Sequence, residues 1–288
     1  MKIIGLLQNR NNVDNGYLRW CLTSMSRIAD AIVVYDDASD QNVHPLYEQF
    51  ECDVIYGETQ EFHRELFHKQ QMLDKGLTYD PDWFVWFDAD AVLGAFWASR
   101  ERTEKALNEA ADKGIVVMLL HNLNLWRSWW WYRSDQSFNE LWHCVFWKNT
   151  GQLNYDPQEG LHLSQYPYFW NDREETVVAS RFEEELGQLI HFGFATDEEI
   201  ARKYFTYRGK GQEGWPLERM VAEGKMLNEQ TEEEEEFSLH PADPIWYPDW
   251  LTPQLGSNWQ PPAPRFTPEK MAAFGNYGEW DQSRRRTT

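Results

Sequence analysis

The 288-residue sequence predicts an α/β fold: a mostly parallel central sheet flanked by helices. Three observations predict it. Short apolar runs recur through the first 120 or so residues, each closed by a polar or turn-forming cluster. Segments with apolar residues at helical spacing separate them. Strand, helix and strand in that order make a βαβ unit, which requires parallel pairing.

The elements follow in order. Residues 2–7 (KIIGLL) read as a buried first strand and residues 8–15 (QNRNNVDN) as a polar turn. Tyr17, Leu18, Cys21, Leu22, Met25 and Ile28 mark a helix, with Asp14 or Asn15 as its cap. Residues 31–35 (AIVVY) form a second strand, closed by DDASD. A short helix over 45–50 and a third strand over 52–56 (CDVIY) come next. Residues 61–77 form a long helix, and Asp80-Pro81-Asp82 turns into a fourth strand at 83–87. A charged helix over 99–113 and a fifth strand over 115–120 (IVVMLL) complete the regular part.

Beyond it the periodicity weakens. Residues 144–148 and 152–155 read as a hairpin around Asn149-Thr150-Gly151. Thr196, with Glu199 three residues on, caps a helix that reaches residue 207. Glu232 to Glu236 is a charge run that reads as a solvated face. From Pro241 to Pro268 prolines are frequent and an extended tail is expected, with the final SRRRTT disordered.

Composition excludes several classes. A net charge of −20 excludes general nucleic-acid binding, since nothing neutralises a phosphate backbone. It leaves room for a nucleotide held through a cation, which inverts the local sign. No apolar run approaches the roughly 18 residues of a membrane span. The opening IIGLL is too short for a secretory signal, so a soluble, cytoplasmic protein is expected. Three cysteines far apart argue against a disulfide framework or a cysteine-ligated zinc. Sixteen tryptophans point first to packing, and then to stacking on sugars or bases.

The chemistry concentrates at strand ends. Ligands of an open parallel sheet bind outside the carboxyl ends of its strands. Three strands here end on polar clusters: Gln8-Asn9-Arg10, Asp36-Asp37 and Asp88-Ala89-Asp90. In DWFVWFDAD a buried run ends on two carboxylates spaced two apart, which lean to the same side of an extended chain. Their repulsion calls for a cation, and Mg²⁺ or Mn²⁺ accepts carboxylate oxygens while keeping positions open for phosphate. As plain structure, one of the pair would cap the following segment and the other would face water.

These motifs resemble the nucleotide-sugar half of a GT-A fold glycosyltransferase, with family-two-like enzymes as the nearest match. The resemblance rests on QNRNN after the first strand, VVYDDASD, a long helix with His68-Lys69-Gln70, and WFDAD as the DXD motif. A later HFGFA with DEEIARKYFTY is similar to the HxG-type stretch of such enzymes, and the likeness covers about residues 1–207. It implies a UDP- or GDP-sugar donor and a saccharide or other hydroxyl acceptor. Gln8, Asn9, Arg10, Asp36 and Asp37 would line the base and ribose, and Lys69, Asp88 and Ala89 the diphosphate and sugar. Asp88, Asp90 and His191 would hold the metal.

The reaction implied is glycosyl transfer, with inversion if a carboxylate takes the acceptor proton. Asp135, Glu159, Asp172 and Glu174 are the candidate bases. Glu159 in QEGLH is chosen, although Leu163, not Glu, directly follows the His162 of that motif. Trp129 and Trp130, in LWRSWWWYR, would stack on an acceptor sugar; packing under a loop is the structural alternative. The expected organisation is a nucleotide-sugar-binding half over 1–120, an irregular acceptor-side half over 121–230, and a Pro/Trp-rich tail over 231–288. A nucleotidyltransferase of related sheet and a non-catalytic carbohydrate-binding protein are the alternatives. The first would carry a Gly-rich basic loop that LLQNRNNVDNG lacks, and the second is usually all-β.

Overall fold

A computed structural model describes residues 1–61, 64–135, 141–151, 153–155, 167–169, 178–208, 225–227, 234–236 and 238–262. The chain packs as two units. The first comprises Met1–Asn122, Trp142–Ile190 and Ile245–Gln254, and the second Leu123–Leu141, His191–Pro244 and Leu255–Thr288.

The first unit follows the predicted alternation. Its chain runs β1 (Ile3–Asn9), α1 (Tyr17–Ser26), β2 (Ala31–Asp36), α2 (His44–Gln49), β3 (Asp53–Tyr56), α3 (Glu65–Leu77) and β4 (Trp83–Trp86). Strand β1 pairs in parallel with β2 and β4, and β2 with β3. A short β5 (Ala91–Leu93), absent from the sequence reading, precedes α4 (Arg100–Asp112) and β6 (Val117–Asn124). The chain continues through β7 (Trp131–Arg133), β8 (Trp142–Lys148), β9 (Leu153–Asn154), β10 (Tyr168–Phe169), β11 (Ala179–Phe182) and β12 (Leu189–His191). Among the described residues the main sheet has nine strands, ordered β3-β2-β1-β4-β8-β6-β12-β5 with β11 beside β6.

The period-two pattern of the strands divides the core between the two sheet faces. Ile3, Leu7, Trp83, Val85 and Phe87 pack with Leu18, Leu22 and Met25 of α1 and Leu107 of α4. Ile4, Leu6, Phe84 and Trp86 pack with Leu66, Met72 and Leu73 of α3. Each such large apolar side chain, fully buried, stabilises by about 1.5–3 kcal/mol. Two glycines let the helices approach. A Cβ on Gly5 would lie 2.4 Å from the Met25 sulfur, and one on Gly76 would lie 2.9 Å from the Phe84 ring. Both distances are below van der Waals contact, so glycine sets how closely α1 and α3 lie on the sheet.

The expected hairpin over 144–155 does not form. Strand β8 instead enters the sheet antiparallel between β4 and β6. Its run Cys144-Val145-Phe146-Trp147 is buried on both faces, which suits a central strand better than a surface hairpin. Strand β9 pairs with β10.

In the second unit, β7 pairs antiparallel with β15 (Leu239–Pro241). Before β15 come α5 (Asp197–Arg208), β13 (Lys225–Leu227) and β14 (Glu234–Glu236); after it comes α6 (Thr252–Leu255), of which residues 252–254 belong to the first unit. Thr196 caps α5, its hydroxyl accepting from the Glu199 amide at 3.2 Å. Glu234–Glu236, from the charge run, pairs with Lys225–Leu227 as a two-stranded ladder. Trp126, Trp130, Phe192, Phe194, Ile200 and Ala242 are buried. The Arg133 guanidinium lies 4.8 Å over the Trp126 ring and pairs with Asp135. Burial lowers the Arg133 pKa, and the Asp135 carboxylate opposes that shift. The SRRRTT terminus lies outside the described residues. No helix among the described residues is long and apolar enough to cross a membrane.

Candidate functional site

The ends of β1 and β2 carry the first cluster. Asp36 and Asp37 are adjacent and both buried, yet their environments differ. One Asp36 oxygen accepts from the Ser39 amide at 2.8 Å. The other accepts from the Ser39 hydroxyl at 2.8 Å and from Tyr47 Oη at 2.7 Å. Asp36 therefore builds the DDAS turn, in which Ala38 adopts a φ of 52°. One Asp37 oxygen accepts from the Glu61 amide at 2.8 Å, whereas Oδ2 is buried with no partner. Asn9 also serves the turn, donating to Tyr47 Oη at 2.9 Å and to the Asn11 carbonyl at 3.1 Å. Arg10 pairs with Asp40 at 3.0 Å on the surface.

Helix α3 supplies the second cluster. The Gln8 amide nitrogen lies 3.1 Å from His68 Nδ1. An amide nitrogen only donates, so Nδ1 accepts and the neutral ring carries its proton on Nε2. That Nε2 is buried without a partner, and the ring stacks on Tyr35 at 4.0 Å. Burial lowers the His68 pKa, and the nearby Asp37 charge opposes that shift. Lys69 does not face solvent. Its ammonium is 2.6 Å from Glu65 and 4.5 Å over the Trp86 ring, with both ionic side chains almost fully buried. Gln70 is structural: its carbonyl accepts from the Tyr155 amide at 2.7 Å and its amide donates to Asp74 at 2.6 Å.

Beyond β4 the chain turns at Asp88, whose carbonyl accepts from the Ala91 amide at 3.0 Å and from the Cys21 thiol at 3.7 Å. Ala89 and Asp90 are buried, while Asp88 reaches the surface. Burial raises the Cys21 pKa well above its ordinary value, and the Asp90 and Asp88 charges add to the rise. In the same sheet β5 neighbours β12. Gly94 N donates to Gln188 O at 2.8 Å and Phe96 N to Leu186 O at 2.9 Å, an antiparallel register. Asp88, Asp90 and His191 each offer a ligand atom, and these atoms lie within 4.8 Å of one another. Two carboxylates and an imidazole form a donor set suited to a divalent ion of the Mn²⁺ type.

His191 is oriented by its own neighbours. Its Nδ1 lies 2.6 Å from Asn124 Oδ1, and an amide oxygen only accepts, so Nδ1 carries the proton. Nε2 then presents its lone pair and accepts from Lys203 Nζ at 3.1 Å. A metal taking Nε2 must displace that ammonium.

In the second unit, Trp130 is fully buried, stacked on Trp259 at 4.0 Å. Trp129 is half-buried and borders a cavity of about 540 Å³. Asp135 is buried and bound to Arg133. Glu159, Asp172 and Glu174 lie outside the described residues. The open His68 nitrogen and the Asn124 and Lys203 partners of His191 had no sequence signal beyond residue type, because each depends on contacts distant along the chain.

No family model and no curated protein matches this chain. Among solved structures it is similar to S. aureus TarS. A crystal structure of TarS 1-349 aligns over 70% of this chain and 64% of that one, at 11% identity and a TM-score of 0.45. The TarS 1-349 complex with UDP aligns over 43% of this chain and 37% of that one, at 18% identity and a TM-score of 0.35. The complex with UDP-GlcNAc aligns over 43% and 36%, at 17% identity and a TM-score of 0.34. In each case the chain spans less than two thirds of the matched structure's length. A likeness this weak fixes neither family nor activity.

Proposed function

We propose that this chain is a metal-dependent glycosyltransferase that moves a sugar, with inversion, from a nucleoside-diphosphate donor to a hydroxyl acceptor. The observation that carries the reading is the pair of unpartnered buried atoms, Asp37 Oδ2 and His68 Nε2, beside the carboxyl ends of the parallel strands. An unmade buried hydrogen bond costs about 1–3 kcal/mol, which a ligand would recover. Asp37 offers an acceptor and neutral His68 a donor. A uracil edge presents the matching imide N–H and carbonyl, as a guanine edge does through N1–H and O6, and the uridine nucleotide is the donor to test first.

Asp88, Asp90 and His191 would hold Mn²⁺ or Mg²⁺, which when bound supplies positive charge to the departing diphosphate. Asn124 holds His191 in the tautomer that puts the lone pair on Nε2, which a metal would take in place of the Lys203 ammonium. Asp88 and Ala89 border the diphosphate, and Gln8 fixes His68 against the base. Lys69 keeps its charge on Glu65 and Trp86 and acts as a positioning residue for the wall of the donor site. Glu159 is the proposed base for the acceptor hydroxyl, and Trp129 the proposed acceptor contact.

The test is hydrolysis of a UDP- and GDP-sugar panel with and without Mn²⁺, on the parent and on Asp90→Ala. Mn²⁺-dependent turnover of a UDP-sugar is expected, with a loss of about 100-fold or more in the variant. No turnover of any donor under any metal, or a variant equal to the parent, overturns the reading.

A further inference from the structure

A cavity lies within the second unit, and every residue lining it belongs to that unit. Its volume of about 540 Å³ falls within the range of ligand clefts, about 300–1,000 Å³. Three distant pieces of sequence build it, one of them residues 195–198 at the start of α5. Another is the turn Arg127-Ser128-Trp129, fixed by the Arg127 amide donating to the Phe194 carbonyl at 2.7 Å. The third is the segment from the end of α6 onward, including Asn258 and Gln260. The fully buried Trp130 holds this last segment in place. It stacks on Trp259, while the neighbouring Trp131 indole donates to the Trp259 carbonyl at 3.1 Å.

The lining has one aromatic ring, a few aliphatic contacts from Leu255, Pro261 and Pro262, and a polar rim. Trp129 is the aromatic ring in the wall. Asp197 is neutralised by Arg127, whose Nε donates to it at 2.6 Å. Glu198, exposed at the start of α5, leaves the lining with an excess of negative charge. Asn258 and Gln260 add amide donors and acceptors.

We propose that this cavity binds a neutral saccharide. A pyranose has an apolar C–H face, which an indole covers, and a rim of hydroxyls, from which carboxylates accept and with which amides bond as donors or acceptors. The excess carboxylate, on a chain of net charge −20, repels an anionic polymer. Trp129 is the platform, Glu198, Asn258 and Gln260 are the hydroxyl partners, and Trp130 positions the segment without touching ligand. That the saccharide is the acceptor of transfer rests on the glycosyltransferase reading; that the cavity binds saccharide does not.

The experiment is calorimetric titration of the full chain with neutral oligosaccharides (glucose, N-acetylglucosamine, galactose and mannose oligomers) and with heparin fragments as anionic controls. UDP with Mn²⁺ is titrated separately. At least one neutral oligomer is expected to bind and the heparin fragments are not. Trp129→Ala is expected to weaken binding at least tenfold, Trp129→Phe less, and Gln260→Ala a few-fold. Unchanged thermal midpoints would show that the variants remain folded. Absence of binding by every neutral oligomer, tighter binding of the anionic fragments, or full binding by Trp129→Ala overturns the proposal. Saccharide binding lost in Trp129→Ala, without any binding of UDP, sustains the cavity and defeats the donor reading. UDP binding without saccharide binding does the reverse.

Discussion

The β1–β2 edge of the first unit and the tryptophan-rich turn of the second unit treat their conspicuous residues in opposite ways. At the edge, polar groups are buried and part of their hydrogen-bonding capacity is left open, at Asp37 Oδ2 and His68 Nε2. In the turn, Trp126 and Trp130 are fully packed, and of Arg127, Ser128 and Trp129 only a half-buried rim borders a cavity. An open polar atom in a packed interior is costly, and an acceptor and a donor left open near one strand edge fit a ligand better than either would alone. A buried aromatic ring is the ordinary state of a core and points to nothing further. A dense run of tryptophans is therefore a weaker functional sign than one aspartate with an unpartnered oxygen.

The largest expected effect on stability comes from Lys69→Met. It removes the ammonium that the buried Glu65 carboxylate faces at 2.6 Å, which should cost about 3–5 kcal/mol. Urea denaturation measures it, and the double variant Glu65→Met/Lys69→Met should recover most of the loss. If Lys69→Met were as stable as the parent, the ion pair under Trp86 would have no structural role.

The next effect separates two neighbouring carboxylates. Asp36→Asn should destabilise the chain, because Ser39 and Tyr47 lose a charged acceptor, by about 1.5–3 kcal/mol. Asp37→Asn should leave stability unchanged or raised, while weakening UDP binding about tenfold to a hundredfold. Equal behaviour of the two variants in both assays would erase the distinction drawn from their hydrogen bonds.

The smallest effect is a pH dependence. Burial lowers the His68 pKa below its unfolded value of about 6.5. The unfolded state then binds more protons between the two pKa values, so stability falls as pH drops below about 6.5 and is fully present above it. His68→Asn should flatten that part of the profile. Profiles that superimpose would show that the ring is not held neutral by its surroundings.

The alternating strands and helices of residues 1–120 were legible because each is a local pattern. Ile3 to Leu7 and Trp83 to Phe87 carry the period-two burial the sheet requires. DWFVWFDAD was legible as a candidate site because a fully buried strand has no structural need to end on two carboxylates. What separates Asp36 from Asp37 was not legible, since it depends on Tyr47 from another element. The insertion of β8 between β4 and β6 is a non-local pairing that no window of sequence contains. Residues 255–262 show no periodicity, and their place against Arg127 and Trp129 is set by the Trp130–Trp259 stack.

The most direct measurement is a calorimetric titration of the parent and Asp37→Asn with UDP, each with and without Mn²⁺. The parent should bind UDP at least tenfold more tightly with Mn²⁺, and Asp37→Asn should lose most of the affinity in both conditions. Identical isotherms with and without the ion, or an Asp37→Asn isotherm equal to the parent's, would contradict a uridine site built on Asp37 and a metal held by Asp88, Asp90 and His191.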